Sequence, residues 1–284
     1  MSTTLTRSAP APRAGAILLF VLAAVATVCW LGVNFTFPAL QATGVTSTAT
    51  RLLIDAAILA GLWVGLARTK LERGARLVTW FAIAFALLIW QAAVWWIAIG
   101  GGFRVRPGDA VPALPVAIML PLLVGLPLLL RSRRIATILD AMPPHWLVGL
   151  QVYRILGVVF LVAWTHGDLA GVFALPAGAG DTLTGLLALP TAYLLYHAPH
   201  GYRRGAIAWN MLGILDLTIA ITIGFLTAPG PLQLIVQNPP NTLIGTYPTV
   251  MIPAFAVPTS LMLHALSLRQ LTRLRRNLTL SQQA

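Results

Sequence analysis

Long apolar segments alternate with short polar segments along the chain, and this pattern predicts helices that cross a membrane. Each apolar segment is close to the roughly 20 residues that an α-helix needs to span a lipid bilayer. The segments lack the period-two alternation of membrane β-barrel strands, which favours an all-α membrane protein with about eight transmembrane helices. The predicted spans one to eight are 14–33, 52–67, 77–99, 111–130, 146–165, 181–197, 206–226 and 248–268.

Positive charge is distributed unevenly between the polar segments, and this predicts the orientation of the chain. With a cytoplasmic N-terminus, fifteen of the nineteen lysine and arginine residues fall inside, and Arg51, Arg104 and Arg106 fall outside. Such an excess is typical of cytoplasmic loops. We therefore expect both termini inside, a basic cytoplasmic tail at 269–284, and a location in the bacterial cytoplasmic (inner) membrane. The inside residues are Arg7, Arg13, Arg68, Lys70, Arg73, Arg76, Arg131, Arg133, Arg134, Arg203, Arg204, Arg269, Arg273, Arg275 and Arg276.

Three segments between the spans have patterns of their own. Residues 135–142 form a short amphipathic stretch that we predict to lie on the inner membrane surface. Residues 167–180 are rich in glycine and alanine and are predicted to be an outer loop between spans five and six. Residues 227–247 carry four prolines and no charged residue, and they are long enough to fold over the outer mouth as a lid.

Composition narrows the class of protein further. The 284 residues are 58% hydrophobic and 9% charged, whereas about 25% of residues are charged in soluble domains. The net charge of +12 raises the question of nucleic acid, but the basic residues form short clusters between spans, which is a topology signal. We therefore expect the lipid bilayer as the surroundings and no nucleic acid partner. The single cysteine, Cys29, excludes an intrachain disulfide.

Small and polar residues share one face in each of spans five to eight. Advancing about 100° per residue places these residues within sectors of about 80–120°. In lipid, such a face turns toward other helices or a wet cavity, so we predict that the four spans form a polar-cored bundle. The candidate substrate- or ion-binding residues on these faces are Gln151, Arg154, Asp181, Asn210, Asp216 and His264.

Arg154 is the basic residue that this layout cannot place in a loop, because it lies nine residues into span five. A charge at that depth costs at least roughly 2.5–3.5 kcal/mol on insertion scales, so we expect a partner. Asp216 is the candidate, because Arg154 and Asp216 lie about 12 Å and 15 Å from the inner boundary at 1.5 Å per residue. Such a pair is either a functional site, with Asp216 as a proton acceptor, or a structural pair that fixes helix register.

Other polar residues have structural interpretations beside the functional ones. Asp181 follows Gly180 and is either the N-cap of span six or part of the polar core. Arg51 and Asp55 are spaced i,i+4 near the outer interface, which favours a structural pair. The histidines near the cytoplasmic side are interfacial by default, and a haem or metal site is the alternative for two of them, His197 and His264. These cytoplasmic-side histidines are His145, His197, His200 and His264.

Several activities are disfavoured by what the sequence lacks. The G-x-S-x-G, H-E-x-x-H and Walker A motifs are absent, so the usual hydrolase, metalloprotease and nucleotide-binding signatures are missing. The single lysine, Lys70, falls in a loop, which excludes a retinal Schiff base. We therefore expect no cofactor and no metal, and an enzyme is disfavoured.

Five short motifs lie within residues 144–271. They are Gln151-Val-Tyr-Arg154-Ile-Leu-Gly157, Ala177-Gly-Ala-Gly-Asp181, Trp209-Asn210, Leu215-Asp216-Leu217, and Ile252-Pro253 with His264. Over this range the chain resembles an uncharacterised group of bacterial multi-pass integral membrane proteins. The resemblance implies a membrane location and an all-helical fold, and it implies no activity.

The polar core suggests three functions. The leading hypothesis is a small-solute or proton-coupled transporter or permease-like protein, whose small-molecule or proton ligand binds between spans five and eight. Prolines in spans four and eight would permit those helices to bend. The first alternative is a non-transporting structural, interaction or sensory membrane protein. The second alternative is a membrane-embedded enzyme or haem protein acting through His264.

Overall fold

The computed structural model describes residues 12–37, 44–105 and 112–281 of the chain. Within these ranges every regular element is helical and no strand occurs, which confirms the predicted all-helical fold. A 3-10 helix covers Gln151–Val158, another covers Leu243–Gly245, and a π-helix covers Ile252–Ala256. The α-helices are α1 Pro12–Thr36, α2 Val45–Ala67, α3 Arg73–Ile99, α4 Ala113–Arg131, α5 Arg133–Ala141, α6 His145–Leu150, α7 Val159–Thr165, α8 Gly171–His197, α9 Arg203–Thr227 and α10 Val257–Ser281.

Seven of the described helices are long and apolar enough to cross a membrane, when α6, the following 3-10 helix and α7 are counted as one. They coincide with predicted spans one to seven. Helix α10 covers much of the predicted eighth span but is not among the seven, because His264, Arg269 and Arg273 lower its hydropathy. It continues to Ser281, so the predicted tail at 269–284 is helical as far as it is described.

Four of the basic residues used to predict the orientation are not fully described. Arg7 and Arg106 lie outside the described residues, as do the side chains of Arg275 and Arg276. The remaining fifteen basic residues all have described positions.

The distribution of polar and apolar side chains is the reverse of that in a soluble protein. Gln151, Asn210 and His264 are completely buried, whereas Leu53 and Trp96 are 71% and 82% exposed. Apolar side chains on the outside are favourable against lipid, and polar side chains inside can then satisfy each other. This distribution fits the multi-pass membrane protein that the apolar helices indicate.

Helix α8 begins ten residues earlier than predicted, at Gly171. The prediction of an outer loop at 167–180 is therefore wrong from residue 171 onward. Glycine serves close packing here rather than a turn, because a Cβ added to Gly178 would lie 2.7 Å from Cγ of Leu161. Asp181 consequently lies well inside α8, so its interpretation as an N-cap is also wrong.

The predicted fifth span is not one regular α-helix. Its central eight residues, Gln151–Val158, form a 3-10 helix, which is long for this geometry. This segment packs against α8. The approach is backbone to backbone, since a Cβ on Gly185 would lie 2.4 Å from the backbone nitrogen of Ile155. The irregular segment is thus bound to a glycine-rich face of its neighbour.

Two connecting segments have regular structure of their own. The amphipathic stretch at 135–142 belongs to α5, whose N-cap Ser132 accepts a hydrogen bond from the Ile135 nitrogen at 3.3 Å. Residues 228–247, which we call the lid segment, connect α9 to the region of the π-helix and carry a 3-10 turn. Ile244 of this turn is buried. The lid segment is therefore packed onto the bundle.

An apolar cluster lies on each side of the polar middle of the bundle. The lid-side cluster includes Phe160, Phe173 and Ile244. The Trp209 cluster, at the opposite ends of the same helices, includes Trp209 and Leu271 together with residues of α6 and α8. The candidate polar residues lie between these two clusters.

Candidate functional site

Arg154 lies at the centre of a buried hydrogen-bond network that joins four helical elements. Its Nε donates to Oδ1 of Asp181 in α8 at 2.7 Å, and one terminal nitrogen donates to Oδ2 of Asp216 in α9. The other terminal nitrogen donates to the Gly213 carbonyl at 3.4 Å and contacts Nε2 of His264 in α10 at 3.1 Å. Arg154 is 3% exposed. Every guanidinium nitrogen therefore has a partner, although the residue is enclosed by the bundle.

The structure places Arg154 in contact with Asp216, the partner that the matching depths indicate. It also adds a second carboxylate that sequence reasoning did not pair with Arg154. For Asp181 the sequence left a helix N-cap and a place in the polar core as alternatives, and the structure shows it facing Arg154 across the α8 contact. We call Arg154, Asp181, Asp216, His264 and Asn210 the Arg154 network.

The partners of His264 determine where its ring proton lies. Arginine has donors and no acceptor, so Nε2 of His264 accepts the hydrogen from Arg154. The proton of a neutral imidazole is then on Nδ1, which donates to Oδ1 of Asn210 at 2.9 Å. Asn210 itself donates to the Ala206 carbonyl at 2.8 Å and to Oγ of Ser267 at 3.1 Å. His264 is therefore a neutral link between α9 and Arg154.

Gln151, the sixth candidate, bonds to α10 beside the network rather than within it. Its Nε2 donates to the Ser260 carbonyl at 3.1 Å. The hydroxyl of Tyr153, two residues further on, shares a hydrogen bond with Oγ of the same serine. These two bonds attach the 3-10 helix to α10. Neither Tyr153 nor Ser260 was paired with the other from the sequence, because the helical projection did not indicate which spans are neighbours.

Glycines stand opposite the charged and polar side chains and allow the helices to come this close. A Cβ added to Gly180 would lie 1.6 Å from Oδ1 of Asp216. One added to Gly213 would lie 2.4 Å from Cε1 of His264. Gly213 lies within predicted span seven (206–226), whereas Gly180 falls in the segment predicted as a loop. The network thus depends on two positions where any larger side chain would displace a polar partner.

The network contains unequal numbers of positive and negative groups. Two carboxylates, Asp181 and Asp216, face one guanidinium, and His264 is neutral. A surplus charge in the interior of a membrane protein is costly unless something compensates it. One proton or one bound cation would do so. The site is therefore suited to the binding and release of a single positive charge.

Two cavities reach the network from the lid side of the bundle. The larger has about 870 Å³ of empty space, counting its open mouth, and its lining includes Arg154, Asp181 and Arg51 of α2. The smaller has about 450 Å³ and lies between Asp181, Phe160 and Ile244. A third cavity of about 860 Å³ lies under the lid segment and shares Ile244 with the smaller one. Asp181 is therefore the residue of the network that both neighbouring cavities touch.

The opposite side of the network is covered by Trp209. The indole ring lies 5.1 Å from the His264 ring, centroid to centroid, and its Nε1 donates to the Thr184 carbonyl at 3.1 Å. Leu195 and Leu271, which are fully buried, pack in the same cluster. The network is thus open toward the lid side and tightly packed toward the Trp209 side.

The two histidines considered for a metal or haem site, His197 and His264, are engaged with other protein groups. In the described part of the chain, no group of three histidine, cysteine, aspartate or glutamate residues is placed to hold a metal ion. His197 packs against the rings of Tyr193 and Tyr196 at 4.3 and 5.1 Å. Both ring nitrogens of His264 already have protein partners, so iron ligation by this residue would require breaking the network.

Arg51 and Asp55 do not form the predicted ion pair. The described ion pairs do not include these two residues. Nη1 of Arg51 donates to Oγ of Ser47 at 2.5 Å, and Nη2 donates to Oγ1 of Thr48 at 3.2 Å. The physical reason is that the hydroxyls of Ser47 and Thr48, four and three residues before Arg51, accept its guanidinium hydrogens and so direct the side chain away from Asp55. Both carboxylate oxygens of Asp55 are buried without a hydrogen-bond partner.

Comparison with known proteins identifies a family and no individual relative. No curated protein and no solved structure matches the chain. One family model matches residues 111–272, which include all six candidate residues. The match begins earlier than the resemblance noted at 144–271, so span four belongs to it. The family is described as a domain of unknown function and brings no activity. Because the match covers more than half of the 284 residues, the chain belongs to the DUF8737 family.

Proposed function

We propose that the protein is a proton-coupled transporter of a small solute and that the Arg154 network is its ion site. The observation that carries this proposal is the surplus carboxylate of a buried network at the end of a cavity that opens on one side. A transporter exposes its site to one side of the membrane at a time. The open lid side and the packed Trp209 side of the network fit one such state.

Two irregular helices next to the network provide places where access could change. The 3-10 helix Gln151–Val158 carries Arg154, and the π-helix Ile252–Ala256 directly precedes α10, which carries His264. Discontinuous helices line the sites of many transporters, and π-helical turns are frequent at functional sites. Bending at the 3-10 helix would move Arg154 relative to Asp216, and bending at the π-helix would move His264 relative to Arg154.

The proposed membrane arrangement has eight spans in the cytoplasmic membrane of a bacterium, with both termini inside. The excess of basic residues on one side supports this orientation. Helix α10 serves as the eighth span, since Ser260, His264 and Ser267 are buried among the other helices despite its lower hydropathy. In this arrangement the lid segment and the mouth of the open cavity face the outer side of the membrane. A solute and a proton would enter the cavity from that side.

The test is proton movement in proteoliposomes that contain the pH dye pyranine. Amino acids, sugars, amines and carboxylates are added outside in turn, and a transported solute should change the internal pH. Asp216→Asn should abolish that change and still fold, because Arg154 retains Asp181 and asparagine still offers an acceptor. Asp140→Asn, which changes an exposed carboxylate of α5, is the matched control and should behave as the unaltered protein. Unchanged flux in Asp216→Asn would refute the role of this residue as proton acceptor.

One observation favours the alternative of a non-transporting structural, interaction or sensory protein. All nitrogens of Arg154 are hydrogen-bonded, which is also the arrangement expected of a clamp that fixes three helices around the 3-10 helix. Under this alternative, none of the tested solutes should cause proton movement. Asp216→Asn should then lower the stability of the protein and have no other effect. The haem version of the enzyme alternative would show a Soret band in the absorption spectrum of the purified protein.

A further inference from the structure

The large cavity has a second arginine, which belongs to α2 rather than to the network. Arg51 lines the cavity wall opposite the 3-10 helix, close to the hydroxyl-bearing residues Ser47 and Thr50. Most of the remaining lining is apolar, with Trp30 and Ile54 among the larger side chains. The cavity therefore combines a guanidinium and hydroxyl groups at one place with a mostly apolar surface that ends at Arg154 and Asp181 of the network.

Arg51 is buried and lacks a carboxylate partner. It is 5% exposed, and its guanidinium is bonded to the hydroxyls of Ser47, Thr48 and Tyr247 rather than to a carboxylate. Its Nε has no hydrogen-bond partner. A charged side chain enclosed in a membrane protein normally has a counter-charge in contact, and Asp55 does not supply that contact. Arg51 thus has unused capacity to bind an anion from within the cavity.

We propose that this cavity binds an organic acid in which one carboxylate is joined to an apolar body, with Arg51 binding the carboxylate and Asp55 taking up a proton. Such an acid would be the substrate of the proposed transporter, so its physiological role rests on the proposed function. Its binding to the cavity can be measured without transport. Arginine suits the role because its planar fork donates two parallel hydrogen bonds to a carboxylate.

Charge balance requires the proton. Before binding, Arg51 and Asp55 lie one helical turn apart and compensate each other at a distance. When an anion binds Arg51, the same region gains a negative charge, and one proton on Asp55 restores the balance. Asp55 is suited to hold it, because neither carboxylate oxygen accepts a hydrogen bond and the residue is 2% exposed. Arg51 on the same helix acts electrostatically on Asp55, and Tyr247 acts on Arg51. On the other side, Tyr153 of the 3-10 helix interacts with Asp55 and also with Arg154 and Asp181 of the network.

The first experiment measures binding to the purified full-length protein by isothermal titration calorimetry. The probe is phenylacetate, and 2-phenylethanol is the neutral control with the same ring and chain. Phenylacetate should bind and 2-phenylethanol should not. Arg51→Gln should raise the Kd about 10- to 100-fold, since a hydrogen-bonded charge pair contributes about that much. Arg51→Lys should recover part of the affinity, and Arg68→Gln at the exposed end of the same helix should leave it unchanged.

The second experiment measures the proton that accompanies the ligand. Titrations in buffers of different ionisation enthalpy should show one proton taken up per phenylacetate. Asp55→Asn should retain binding and lose the proton uptake, whereas Asp140→Asn, which changes an exposed carboxylate of α5, should retain both. Equal affinity for phenylacetate and 2-phenylethanol, equal affinity in Arg51→Gln and Arg68→Gln, or unchanged proton uptake in Asp55→Asn would each overturn the proposal.

The source of the acid is identified by a competition in nanodiscs. Phosphatidylcholine nanodiscs with and without oleic acid are titrated with phenylacetate. Displacement by oleic acid supports a fatty acid of the membrane as the ligand, and undiminished binding supports a water-soluble acid. The two proposals fail separately. If Asp216→Asn transports as well as the unaltered protein, the role of Asp216 as proton acceptor is refuted, and the binding results for phenylacetate are unaffected.

Discussion

Replacing Gly180 with alanine tests whether close packing of α8 holds the Arg154 network together. A Cβ at this position would lie 1.6 Å from Oδ1 of Asp216. Since non-bonded carbon and oxygen atoms pack at about 3.5 Å, the carboxylate has to move by roughly 2 Å. A displacement of that size breaks its hydrogen bond with Arg154, because such bonds weaken steeply beyond about 3.2 Å.

Two effects of opposite sign decide the size of the change. Depriving a buried charge of its partner costs about 3–5 kcal/mol, whereas alanine stabilises a helix relative to glycine by about 1 kcal/mol. Gly180→Ala should therefore lower the free energy of unfolding by about 2–4 kcal/mol. Gly61→Ala is the matched control, because Gly61 lies inside α2 with no atom within 4 Å of an added Cβ. That control should be neutral or slightly stabilising.

Equilibrium unfolding in mixed detergent micelles measures both variants, and a double-mutant cycle separates the clash from the helix effect. In an Asp216→Ala background the carboxylate is gone, and Arg154 still forms a neutral pair with Asp181. Gly180→Ala should then stabilise the protein as Gly61→Ala does. A loss of the same size in both backgrounds would show that displacement of Asp216 is not the cause.

Two further predictions concern the other charged contacts. Arg154→Leu leaves two carboxylates without a counter-charge and should lower the free energy of unfolding by at least about 3–5 kcal/mol. The triple variant with leucine at positions 154, 181 and 216 should recover folded protein, as judged by gel filtration. The double variant with leucine at 154 and 216, which keeps Asp181, should not recover it. Equal recovery of the two variants would contradict a charge balance among these three residues. The pair of Arg273 and Asp140 is 37% and 36% exposed, so Asp140→Asn should change the free energy of unfolding by less than about 1 kcal/mol. A larger change, or one that persists in high salt, would contradict screening by solvent.

The sequence was sufficient to predict the helical class and the composition of the polar middle. Apolar segments near 20 residues long have few other solutions in lipid, which is why seven predicted spans coincide with apolar helices. The polar faces were equally informative, because a polar side chain in a span has to turn inward. Five of the six candidate residues consequently lie in one network.

The start of α8 could not be predicted from glycine content, because glycine has two opposite meanings. It favours turns where the backbone needs unusual dihedral angles, and it favours close helix packing in membranes. The second meaning applies at Gly178 and Gly185, both of which contact the segment containing Arg154 or its neighbours. Their spacing of three and four residues from Asp181 is a helical pattern that crosses the predicted loop boundary. That spacing was the available signal.

The 3-10 geometry explains why an α-helical projection of span five identified the buried residues but did not predict that they lie in a single row. In an α-helix, residues three apart differ by about 60° around the axis, whereas three residues per turn place them in a single row. Gln151, Arg154 and Gly157 form such a row and all are buried. A Cβ on Gly157 would lie 2.4 Å from Cβ of Asp181, so the absence of a side chain at Gly157 leaves room for Asp181. Arg154, one turn earlier, donates a hydrogen bond to the Asp181 carboxylate. In an α-helix these two positions would differ by about 60° around the axis. The 3-10 geometry therefore aligns Arg154 and Gly157 in one row against Asp181.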